Sequence, residues 1–147
     1  MRITDGFGRD TIPTQSTTPP TVDVFGGPID WGAAQDQVPG DAAQFRQFVE
    51  LFRDESQTHL TSIAHALQQR NYSELRRAAH TLKSAADLFR AEPLLQKALA
   101  LEEAALHKAT PTLLDQAFLE VEREHHRLDI EITRFLSMPR NAQRKAP

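Results

Sequence analysis

Apolar residues fall along this chain in stripes with the period of an α-helix. Between positions 75 and 89 they recur at Leu75, Ala79, Leu82, Ala86 and Phe89, in steps of four, three, four and three. Residues so spaced share one face of a helix of about 3.6 residues per turn, and the positions between them face away. Upstream, Phe45, Phe48, Val49, Phe52, Leu60, Ile63 and Leu67 draw a second stripe with a weak middle at Asp54-Glu55-Ser56. Downstream, Leu94, Leu95, Ala98, Leu99, Leu101, Ala105 and Leu106 give a wide third face, and Leu114, Phe118, Val121, Leu128, Ile132 and Phe135 a fourth. The punctuation agrees. Asp41 caps a helix running to about Gln69, Asn71-Tyr72-Ser73 makes a turn with Ser73 as the next cap, and the third helix ends near Phe89 or Arg90. Pro93 and Pro111 stand at helix starts, where a missing N–H costs nothing, and Met138-Pro139 stops the last helix. Asp30 caps a shorter helix from Trp31 to about Val38, with Trp31 as a lid over one end of the bundle. No strand pattern competes. The expected fold is all-α: an antiparallel four-helix bundle with a short N-terminal capping helix.

Around this bundle the composition changes. Residues 1–28 are rich in Thr, Pro, Gly and Asp, with Pro13, Pro19, Pro20 and Pro28 breaking any periodicity. Such a segment cannot bury enough apolar surface to offset its ordering entropy, so a disordered tail is expected there, with a polar tail at 139–147 and the bundle over 29–138. The 147 residues suit one domain, and 39% hydrophobic with 25% charged residues is ordinary for a soluble one. The absence of cysteine excludes disulfides, thiol catalysis and thiolate metal sites. A net charge of −3 argues against a nucleic-acid partner, and no run approaches the ~18 apolar residues of a membrane span. The start of the chain lacks the apolar centre of a signal peptide, so the cytoplasm is the expected location. A monomer is the expected state.

Candidate chemistry lies on the outward face of the third helix. With its apolar stripe at zero, His80 falls roughly 140° away, Lys83 about 80°, Ser84 about 180° and Asp87 about 120°, with Leu88 about 140° to the other side. Arg76 stands four residues before His80 on the same face, beside Arg77. Water therefore meets an imidazole with cations and one small residue around it. An imidazole, with its ordinary pKa near ~6.5, is a nucleophile that is largely neutral at pH 7. Arg76, Arg77 and Lys83 would disfavour a protonated ring and attract phosphoryl oxygens.

His80-Thr81-Leu82-Lys83-Ser84-Ala85-Ala86 resembles the phosphoacceptor motif of histidine phosphotransfer (HPt) domains, H-x-L-K-G-[SA]-[SA]. The likeness extends through Arg90-Ala91-Glu92-Pro93-Leu94 and Leu101-Glu102-Glu103-Ala104, and upstream to Ile29-Asp30-Trp31. Ser84 stands where the family prefers Gly, adding a hydroxymethyl beside His80, and Arg90 where it often has another Gly. The resemblance implies a phosphocarrier and not an enzyme: His80 passes a phosphoryl group between receiver-domain aspartates in a two-component phosphorelay. It also implies that Lys83, Ser84, Arg76, Arg77, Asp87 and Leu88 border the site as phosphoryl-stabilising or docking residues. The implied partners are response-regulator receivers or a hybrid sensor histidine kinase. With no nucleotide loop and no acidic trio in this chain, the receiver would bring the Mg²⁺, and no cofactor or metal is held here.

Two other readings remain open on the sequence. One is a pseudo-HPt module that docks receivers or kinases without accepting phosphate. The other is a carboxylate and histidine metal bundle, since Glu122-x-x-His125, and Glu55 with His59, resemble di-iron ligand spacings. Only the first pair has the i, i+3 spacing, and His59, His65, His107, His125 and His126 are otherwise expected at the surface.

Overall fold

The computed structural model describes residues 27–138. The tails expected over 1–28 and 139–147 therefore lie, but for residues 27 and 28, outside the described residues. Five helices follow in order: α1 (Trp31–Gln37), α2 (Ala42–Gln68), α3 (Tyr72–Leu88), α4 (Glu92–Leu106) and α5 (Pro111–Ser137). Among the described residues there is no strand, and no helix is long and apolar enough to cross a membrane. Short turns join α2 to α5 into an antiparallel bundle. Each of these helices packs on two others, α3 most extensively on α4, while α5 closes the ring against α2.

Local chemistry sets the ends of each element. Asp30 Oδ1 accepts the Ala33 N–H at 3.0 Å, and Asp41 with Gln44 forms a reciprocal box of two 2.9 Å bonds. The cap of α3 is Asn71, whose side chain accepts the Glu74 N–H at 3.1 Å, and not Ser73 as the sequence suggested. An Asx side chain at position 71 reaches the orphan N–H groups first, which leaves Ser73 inside the opening turn. Three helices end in the same way. Arg70, Arg90 and Lys108 adopt left-handed backbone with φ of 53°, 59° and 53°. After each, an N–H reaches back five residues: Asn71 to Ala66 O (3.0 Å), Ala91 to Ala86 O (2.8 Å) and Ala109 to Ala104 O (2.9 Å). These are Schellman ends, whose turning residue glycine fits best, so Arg90 occupies a position that favours glycine for backbone reasons. The Arg90 carbonyl also accepts the Asp30 N–H at 3.1 Å, tying α1 to the α3–α4 turn.

The core follows the stripes. Leu75, Ala79, Leu82 and Ala86 of α3 are all buried, as are Leu94, Ala98, Leu101 and Ala105 of α4. Ala79, Ala86, Ala98 and Ala105 are all buried and add little side-chain bulk to the two stripes, which suits the extensive packing of α3 on α4. At one end Trp31 stacks on Phe135 with ring centroids 4.4 Å apart and meets Phe45 and Phe89 edge-on. Phe89 in turn stacks on Phe52 at 4.1 Å, so the lid and the end of α3 share one aromatic cluster. The Trp31 indole N–H donates to Glu131 at 3.2 Å.

One expectation fails inside the bundle. His125 is 7% exposed and buried against Ser56, which is 2% exposed, and is not a surface residue. It lies on the α5 stripe between Val121 and Leu128, at steps of four and three, and Ser56 continues the α2 stripe after Phe52. The weak middle of one stripe thus meets the polar member of another. The Ser56 hydroxyl donates to the Arg53 carbonyl at 3.0 Å, so its oxygen must accept from His125 Nε2, also at 3.0 Å. Burial pushes the His125 imidazole below its ordinary value; the Asp129 charge opposes this and His126 adds to it.

Candidate functional site

The site forms where α3 turns its outer flank towards α4. Antiparallel packing sets the turn carrying His80 and Lys83 beside Glu102. His80 stays 57% exposed, yet its Nδ1 lies 2.8 Å from Glu102 Oε2. Lys83 Nζ lies 2.8 Å from the other oxygen, Oε1, as a charge pair. Glu102 itself is 14% exposed. Partial burial pushes its carboxyl up, but the contacts from Lys83 and His80, with their charges, outweigh this and hold it below the ordinary carboxylate value.

This arrangement fixes the ring. An ionised carboxylate only accepts hydrogen bonds, so the nitrogen facing it must carry the hydrogen. In the neutral imidazole Nδ1 is then the protonated nitrogen, and Nε2, turned away from α4, keeps its lone pair towards solvent. A nucleophile directed outward on a rigid helix is the result.

The other candidates divide. Ser84, Asp87 and Leu88 are exposed on α3 beyond His80, Leu88 to 50%. Arg76 is exposed with no partner for its guanidinium among the described residues, whereas Arg77 pairs with Glu74 one turn back. Lys83, expected to attract phosphoryl oxygens or border the docking face, is half-buried with its ammonium against Glu102. Glu102 was missed as a site residue. Its signal was present but faint: a carboxylate next to Leu101 and four residues after Ala98, on the margin of an apolar face. Glu122 is exposed and His125 turns to Ser56, and among the described residues no three His, Cys, Asp or Glu side chains gather where they could hold a metal.

The family model for the Hpt domain matches residues 47–137, from early in α2 to the last residue of α5. The chain belongs to the Hpt domain family. Its fold is also similar to that of a solved protein from rice titled a "putative histidine-containing phosphotransfer protein". That match has a TM-score of 0.66 at 17% identity, and covers 80% of this chain and 85% of that one. No curated protein sequence matches. The Hpt match embraces all of α3 and α4, and hence His80, Lys83 and Glu102. The chain is accordingly a phosphotransfer module of two-component signalling.

Proposed function

We propose that this Hpt domain carries a phosphoryl group on His80 between aspartates of receiver domains, or of a receiver within a hybrid sensor kinase. The observation that supports it most is the pairing of an exposed His80 ring with Glu102 at Nδ1, which leaves Nε2 free to attack. The Nε2 lone pair forms the N–P bond as the acyl phosphate P–O bond of the receiver aspartate breaks. The aspartate leaves as carboxylate, and the ring, still protonated at Nδ1, becomes a cation beside the Glu102 anion. No proton has to move in this step, and the reverse transfer retraces it. The transition state is loose, so positioning and charge stabilisation supply most of the catalysis. The receiver brings the Mg²⁺ that neutralises the phosphoryl oxygens, and this chain brings the directed nucleophile. Exposed Ser84, Asp87 and Leu88 border the docking face, and the place of action is the cytoplasm.

Incubation with a panel of phosphorylated receiver domains tests this. An acid-labile, base-stable label should appear on the wild-type protein and vanish in His80→Gln. Helicity and thermal midpoint should be unchanged, because His80 is exposed. A label that persists in His80→Gln refutes the assignment.

A further inference from the structure

Three cations surround the acceptor ring, and two of them are already matched. Lys83 sits on Glu102 and Arg77 on Glu74, each neutralised by a carboxylate of this chain. Arg76 is exposed, and its guanidinium has no partner among the described residues. Arg76 and His80 are four residues apart on α3, which places their Cβ atoms about 5–6 Å apart on one face. Helical side chains also lean towards the N-terminus, so the His80 ring extends over the turn that Arg76 occupies and away from Ser84.

We propose that Arg76 is the residue that binds the phosphoryl oxygens once His80 is phosphorylated, and that Lys83 acts mainly as counter-charge to Glu102. This rests on His80 being the acceptor. A phosphoryl group on Nε2 adds a charge of about −1.5 to −2 and three acceptor oxygens. The planar Arg fork can meet two of those oxygens at once. Lys83 would have to abandon Glu102 to do the same, breaking a 2.8 Å charge pair and leaving the half-buried carboxylate to the ring alone.

The experiment is a ³¹P NMR titration of protein labelled with phosphoramidate, a donor that needs no receiver. Wild-type protein should give one phosphohistidine signal, absent in His80→Gln. In Arg76→Ala the pH midpoint of the phosphoryl group should rise by roughly 0.5 unit at low salt, as expected for losing one cation about 5 Å away in a high-dielectric setting. Arg76→Lys should restore most of the shift, Arg77→Ala should cause little, and high salt should shrink the difference. Arg76 is exposed, so circular dichroism should match wild type in each variant. A midpoint unmoved in Arg76→Ala, or a full shift found in Lys83→Ala instead, overturns the proposal while leaving His80 in place. A wild-type protein that takes no label on His80 removes the acceptor assignment and this proposal with it.

Discussion

Replacing Ser56 by alanine removes one oxygen from the middle of the bundle and tests how the buried pair is wired. The Ser56 hydroxyl spends its single hydrogen on the Arg53 carbonyl, so it receives the His125 Nε2–H. Ser56→Ala then strands that N–H in a site where His125 is only 7% exposed, at a cost of about 1–3 kcal/mol. His125→Leu is different, because Ser56 keeps its bond to Arg53 and loses only a donor to its lone pair. It should cost less than Ser56→Ala. The double variant, apolar on both sides, should recover part of the loss, with a coupling of about 1 kcal/mol or more in a double-mutant cycle. The pair also has a pH signature. The folded His125 value lies below the unfolded one, near ~6.5, so the unfolded chain binds more protons in acid. Stability should therefore fall as pH drops through about 6.5 and level off once the folded imidazole also protonates. This component should be missing in His125→Leu. Urea unfolding of the four proteins at pH 7.5 and 5.5 reads all of this. A His125→Leu variant that costs more than Ser56→Ala, or that keeps the acid loss, would refute the assigned donor direction and burial.

Two other substitutions probe the ends of α3 and its outer face. Arg90→Gly should stabilise the protein by roughly 0.5–1 kcal/mol, since left-handed backbone costs an L-residue about 1–2 kcal/mol and the added unfolded-state entropy of glycine offsets only part of that; a urea midpoint that falls would contradict this. Ser84→Arg should suppress transfer from receivers in both directions while leaving the thermal midpoint within a degree or two, because residue 84 is exposed one turn beyond His80. Wild-type transfer rates in that variant would move the docking face elsewhere.

The stripes determined most of the fold before any coordinates. Steps of three and four at Leu75, Ala79, Leu82 and Ala86 specify a one-sided helix whatever it packs on, and Asp30, Asp41 and Thr110 mark helix starts through bonds made within three residues. The outward direction of His80 was legible for the same reason, because angle around a helix depends only on sequence separation. What the sequence did not determine are the partners across helices. Glu102 joins His80 over 22 positions and Ser56 joins His125 over 69, distances at which no local period carries information. The pairing of α3 with α4 makes Lys83 the counter-ion of a half-buried carboxylate, while among the described residues the Arg76 guanidinium has none. The pairing of α2 with α5 took His125 from an expected surface position into the core. A stripe says which face is buried, but only the packed neighbour decides whether a polar group on its edge meets water, an ion or another side chain.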